Sequence, residues 1–305
     1  MSKSVYSKDY KDIIERLKTA RIEVGLSQQE VADKLGKPQS YISKIESGER
    51  RLDVAEMKKF AQIYKKPSSY FLSFMLVQKF DKFLQSVDLK SYRDQYRAIK
   101  IVEMDMPKEV QAINMLYKVY WDQKKFLSFE DFYKEYLNSL KTEIESFRQK
   151  TTMCKDCFYR GLPARIYRTW ASIITQIHAG YVAESVFGEG TVAMSGELDH
   201  QGADFQVKYR GKILNYQVKK KSFSGEVRRG KGGVKNKIDG QFIDINYEVP
   251  SGDYFENPKK KDGTDKLPYA RFMANKELKR FPNGFVVFTP HPFEQKKKEI
   301  DETLK

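Results

Sequence analysis

The sequence predicts an α+β multi-domain protein. It has an all-α N-terminal unit over residues 1–75, a helical connector over 76–150 and an α/β domain with a central mixed sheet over 151–305. Three observations carry this reading. Apolar residues recur at helical spacing, with caps, through the first half of the chain. A two-arm alternating segment at 202–220 reads as a β-hairpin. A long apolar stripe at 165–187 and a short apolar run at 285–288 supply a helix and a buried strand around it. The 305 residues accommodate two or three domains, and 40% hydrophobic content is ample for their cores.

In the N-terminal unit, Leu17 and Ile22 precede Gly25-Leu26-Ser27-Gln28-Gln29-Glu30-Val31-Ala32-Asp33-Lys34-Leu35-Gly36. Ser27 with Glu30 forms a capping box that starts a helix. Ala32 is small enough for a close helix crossing, and Gly36 suits the turn that follows. Residues 37–48 then read as a second helix and its stop, with Ile42 and Ile45 inward and Gln39, Ser40, Tyr41, Ser43 and Lys44 outward. Residues 10–72 resemble the lambda-repressor-like (Cro/XRE-type) helix-turn-helix domains. That resemblance implies double-stranded DNA as partner, with Gln28 on a phosphate and Gln39, Ser40 and Lys44 at base edges in the major groove.

In the connector, Pro107 is expected to begin one helix, and Ser128-x-x-Asp131 caps another on which Phe132, Tyr136 and Leu140 recur. Its aromatics, among them Phe80, Phe83, Tyr117, Tyr120, Trp121, Phe126 and Phe129, read as core or dimer interface rather than as a platform for single strands. The segment is too apolar for a loose linker, so it is expected to dock the two outer units together.

In the C-terminal domain, Arg165 to Phe187 reads as a helix stopped by Gly188 and Gly190. A two-residue turn at Arg210-Gly211 then pairs Phe205 with Tyr216 and Val207 with Leu214, giving one apolar face. On the other face the same register sets Asp204 opposite Gln217, and Lys219 shares that side because strand side chains alternate. A carboxylate, an amide oxygen and an ammonium thus converge, which is a constellation for a divalent metal and phosphodiester cleavage.

These residues resemble the core of the PD-(D/E)XK nucleases, the superfamily of most restriction endonucleases. The resemblance implies that Asp204 is the first metal-binding acid and that Gln217 stands where a second acid is usual. It implies that Lys219 orients or deprotonates the attacking water. Gln217 offers a neutral oxygen, so the site loses a negative charge and calls for a helper acid. Glu184, in the last turn of the 165–187 helix, is the candidate; Glu197 and Asp199 are rivals, and the Val218 carbonyl is a further ligand candidate. The implied activity is that of a type II restriction endonuclease with Mg²⁺ as cofactor, cutting as a homodimer and paired with a DNA methyltransferase for the same site. The second reading is a transcriptional regulator with a degenerate nuclease-like domain. The third is a repair or defence nuclease directed by DNA structure or modification.

The loop at 222–237 carries four glycines and five basic residues, among them Arg228, Arg229 and Lys231, and with Lys220 is expected to lie along DNA. The net charge of +15 favours a polyanionic partner. With no signal peptide, apolar span or lipidation motif, a cytoplasmic protein is expected. The two cysteines, Cys154 and Cys157, are expected as free thiols, because zinc needs two more ligands at suitable spacing. Three scattered histidines give no support for a nucleophilic triad. Asn283-Gly284 introduces Phe285-Val286-Val287-Phe288, expected as a buried strand of the same central sheet.

Overall fold

The computed structural model describes residues 8–66, 69–97, 99, 106–221 and 238–303. Arg228, Arg229 and Lys231 lie outside these residues, as does the side chain of Lys220.

The N-terminal unit is built from α1 (Lys8–Glu23), α2 (Gln28–Leu35), α3 (Gln39–Glu46) and α4 (Val54–Ile63), completed by the start of α5 (Ser69–Ser86). The expected capping box is present. The Ser27 hydroxyl accepts from the Glu30 amide, and the Glu30 carboxylate accepts from the Ser27 amide. Gly36 takes φ 62°, the left-handed conformation that ends α2 and turns the chain into α3. Leu17, Val31, Ala32, Ile42, Ile45 and Phe60 fill the core, and Phe71 of α5 closes it.

α5 then continues into the rest of the molecule. Phe80 and Leu84, further along the same helix, are fully buried in the larger second core. Phe71 and Phe80 are nine residues apart, which a helix spans in about 14 Å. One rigid element therefore serves both cores.

α6 (Leu89–Arg97) follows, then a 3₁₀ turn at Lys108–Val110 and α7 (Ile113–Leu116), which runs into a π-helical turn at Tyr117–Asp122. Pro107 precedes only that 3₁₀ turn, which ends at Gln111 in extended backbone, so the helix expected there does not form. Ser128 caps α8 (Phe129–Ser139) on the Asp131 amide as expected. α9 is Lys141–Lys150. The connector's aromatics go into the core: Phe80, Tyr120, Phe129 and Phe132 are at most 1% exposed and join one continuous apolar body with the sheet and α10 (Lys155–Phe187).

α10 begins ten residues before the expected Arg165 and carries Pro163 within it. Gly161, Leu162, Ala164 and Ile166 around the proline are all buried, and packing overrides the local preference to break. Cys154 and Cys157, expected as free thiols, are joined as a disulfide. They occupy the cap and the first turn of α10, a spacing that brings their Cα atoms to 5.2 Å.

The sheet has strand order β1 (Val192–Ala193), β2 (Phe205–Tyr209), β3 (Lys212–Lys221), β4 (Gln241–Glu248), with α11 (Gly196–His200) between β1 and β2. β1/β2 and β2/β3 are antiparallel and β3/β4 is parallel, so the sheet is mixed as expected. Arg210 and Gly211 both take positive φ, 47° and 75°, as a two-residue hairpin turn with the correct twist requires. The register is the expected one: Phe205 faces Tyr216 and Val207 faces Leu214. The Phe205 and Tyr216 rings stack with centroids 4.8 Å apart and pack on Phe293 of a C-terminal helix.

α12 (Gly252–Glu256), α13 (Leu267–Ala274), β5 (Leu278–Arg280), β6 (Val286–Phe288) and α14 (His291–Thr303) complete the fold. Val286–Phe288 is a buried strand, but it pairs antiparallel with β5 in a separate two-stranded sheet rather than joining the central one. The tight connection through Gly284, at φ 96°, folds it back on its predecessor. Among the described residues no helix is long and apolar enough to cross a membrane.

Candidate active site

Asp204 sits immediately before β2 and is 6% exposed. Its amide donates to the Tyr216 carbonyl at 2.8 Å, one position off the 205–216 register, so the regular ladder stops at Phe205 and does not include the expected pairing of Asp204 with Gln217. Its Oδ2 accepts from the Val218 amide at 2.5 Å and its Oδ1 from Gln176 Nε2 of α10 at 2.9 Å. The carboxyl is thus fixed from the hairpin and from the long helix together.

Asp199 is brought against it by local geometry. Ser195 caps α11, the Ala203 amide returns to the Leu198 carbonyl, and Gly202 at φ 88° reverses the chain. The two carboxyl groups lie within hydrogen-bonding reach of each other. Burial, opposed by the Val218 amide and Lys219 and reinforced by the neighbouring charge of Asp199, pushes the Asp204 carboxyl up to about 7. Burial raises Asp199 as well. Two buried carboxyls this close disfavour being ionised together.

Lys219 and Gln217 lie on the same face of β3, and the parallel ladder sets Gln217 beside Asp244 and Lys219 beside Asn246. Lys219 Nζ donates to Asp244 Oδ2 at 2.9 Å. Gln217 Oε1 and Gln176 Oε1 are buried without a hydrogen-bond partner. The Tyr117 hydroxyl faces the acid pair: burial first, then Asp199 and Asp204, pushes it above its ordinary range. Buried orphan oxygens are rare, and that of Gln176 belongs to an amide bonded to Asp204, where a neutral oxygen suits a hydrated cation. No group of three or more His, Cys, Asp or Glu placed to hold a metal occurs among the described residues. Two carboxyls and neutral amide oxygens are donors that suit a hard ion better than zinc.

Glu184, expected as the helper acid, is not in this group. Its Oε1 accepts from the Gly190 amide at 3.0 Å, closing the end of α10, and burial raises its pKa. It follows Gln176 by eight residues, about 12 Å along the helix. The helix thus presents Gln176 to Asp204 and keeps its acid for its own terminus. Glu197 is exposed.

In the helix-turn-helix unit Gln39, Ser40 and Lys44 are exposed along α3, and Ser43 is half-buried. Gln39 Nε2 donates to Gln28 Oε1 at 2.6 Å, and Gln28 Nε2 donates to Glu46 at 2.8 Å. The two glutamines expected to act separately are one linked unit. Tyr41 turns away from the outer face. Its hydroxyl bonds Glu56, and Arg50 lies over its ring at 4.1 Å.

Gln176, Tyr117 and Asp244 were not legible as site residues. The alternation of Asp244, Asn246 and Glu248 with Ile243, Ile245 and Tyr247 marks a strand in the sequence, but its partner and register are set only by the fold.

Residues 77–303 match the family model described as "TaqI restriction endonuclease", and residues 17–71 match a helix-turn-helix model. The chain is 31% identical over 220 residues to the type II restriction enzyme TthHB8I of Thermus thermophilus, covering 70% of this chain and 83% of that protein. It is 33% identical over 220 residues to the type II restriction enzyme TaqI of Thermus aquaticus, with the same coverage. No solved structure matches. With its sheet, its acid pair and most of its length inside the matched region, the chain belongs to the TaqI restriction endonuclease family and carries a Cro/XRE-type helix-turn-helix domain ahead of the nuclease portion.

Proposed function

We propose that this restriction endonuclease hydrolyses double-stranded DNA with Mg²⁺ at a site framed by Asp204, Asp199, Gln217 and Lys219, on a PD-(D/E)XK-type core. The observation that carries the reading is the buried carboxyl pair Asp199–Asp204, held by Gln176 and the Val218 amide, with Lys219 close enough to lower the Asp204 pKa. Asp204, Asp199, the Gln217 amide oxygen and the Val218 carbonyl would hold the ion. A bound divalent cation supplies Lewis-acid stabilisation of the phosphoryl oxygens and a more acidic water.

The chain's own residues do the rest. Gln176 and the Val218 amide hold Asp204 in one rotamer, so the acid needs no reorganisation when DNA arrives. Lys219, on the same strand as the Val218 amide, would orient the attacking water and balance charge developing on phosphorus oxygens. Gln28 and Gln39 act as a pair on the major groove, with Ser40, Ser43 and Lys44 alongside. Two-strand cleavage at a symmetric site calls for a homodimer, with a methyltransferase protecting the host's copies of that site.

The test is cleavage of plasmid and phage duplexes with Mg²⁺. The wild type should cut at discrete positions. Asp204→Ala and Lys219→Ala should bind but not cut. Full cutting by Asp204→Ala would overturn the site assignment.

A further inference from the structure

We propose that Asp244 is a positioning residue for Lys219, holding its ammonium over the acid pair; the inference rests on the proposed role of Lys219. Lys219 and Asp244 are not direct ladder partners. Asp244 is level with Gln217, two residues back along β3 from Lys219. Two residues of strand are about 6.6 Å. The 2.9 Å contact from Lys219 Nζ to Asp244 Oδ2 therefore requires the lysine to lean back along the strand, toward the row of Gln217. Val218, between the two residues on β3, donates its amide to Asp204 Oδ2 at 2.5 Å, so this stretch of the strand adjoins the acid.

A lysine stem has four rotatable bonds and loses its direction without an anchor. Lys219 and Asp244 are 39% and 38% exposed, so their ion pair adds little to stability. Its consequence is direction. One of the three ammonium protons is committed to Asp244, and the other two remain for water and a phosphate oxygen. The same carboxylate supplies negative charge on the face where Gln217 provides none.

The full-length chain is tested in single-turnover cleavage of a plasmid duplex that the wild type cuts, with Mg²⁺. Asp244→Asn should lower the cleavage rate about 10-fold or more, with unchanged binding of uncut duplex and unchanged melting temperature. Asp244→Glu should recover part of the rate. The double variant Asp244→Asn/Lys219→Ala should be no slower than Lys219→Ala alone, because the two act as a unit.

A wild-type rate for Asp244→Asn alongside a dead Lys219→Ala overturns this proposal and spares the lysine's role. Additive losses in the double variant also overturn it. A rate lost in Asp244→Asn but restored by raising Mg²⁺ would make Asp244 a metal ligand instead. If Lys219→Ala cuts at the wild-type rate, the lysine's role fails, and the positioning role falls with it.

Discussion

Gln176 of α10 donates its side-chain amide to Asp204 Oδ1 at 2.9 Å, joining residues 28 positions apart. The contact ties the longest helix to the hairpin at the residue on which the proposed chemistry depends. Gln176→Leu should therefore lower metal affinity or cleavage about 10- to 100-fold, since partners that orient a ligand typically carry that much. A Mg²⁺ titration of single-turnover cleavage checks this. An unchanged titration would show that the Val218 amide alone fixes the acid.

The elevated Asp204 carboxyl gives a stability prediction with a defined sign. Its folded pKa of about 7 lies above the ordinary 3.8, so the folded state holds the extra proton between those values. Stability of the metal-free protein then falls as pH rises from about 4 to about 7, and the penalty is fully present above 7. Asp204→Asn removes it. At pH 8 without metal the variant should be about 2–4 kcal/mol more stable than wild type, the difference closing toward pH 4. Urea unfolding across that range, in chelator, is the measurement, and a variant less stable at pH 8 would contradict the direction.

The Gln28–Gln39 pair predicts coupling within the helix-turn-helix unit. Gln39→Ala should cost about 1–3 kcal/mol of DNA binding and relax preference at particular base pairs. Gln28→Ala should do more than weaken phosphate contact, because it releases Gln39. In a double-mutant cycle the two losses should sum to more than the double variant loses. Strict additivity would mean that the contact breaks when DNA binds.

Because Phe71 and Phe80 sit in different cores on one helix, the two units should unfold together. Phe80→Ala should cost about 3–5 kcal/mol and lower a single thermal transition rather than one of two. Arg16 of α1, which donates to the Ser185 carbonyl near the end of α10 at 2.8 Å, strengthens the same junction. Removing residues 1–75 cuts through α5 and should therefore reduce cleavage strongly. Unimpaired cleavage of the same site by that truncation would assign the N-terminal unit a separate role.

The locally encoded parts of the molecule were readable from the residues alone. The capping box at Ser27, the turn at Gly36 and the inward Ile42 and Ile45 all follow from short-range rules, and so does the hairpin register set by Arg210-Gly211. The same turn geometry predicted Asp204 opposite Gln217, but the regular ladder ends at Phe205, where the Asp204 amide bonds the Tyr216 carbonyl instead. Relationships that reach beyond one turn or one hairpin depended on the packed fold. Glu184 and Gln176 share a helix, and nothing local says which of them meets Asp204; the docking of α10 on β2 chooses Gln176. Pro163 argues for a break that the buried surroundings override. Val286–Phe288 announces a buried strand but not its partner. Asp244 reaches Lys219 only through a parallel pairing across a long crossover, whose register no short-range signal carries. Backbone propensity and turn geometry act over a few residues, whereas the packing of apolar faces selects among distant partners, and it is this packing that places Gln176 and Asp244 beside the hairpin's own chemistry.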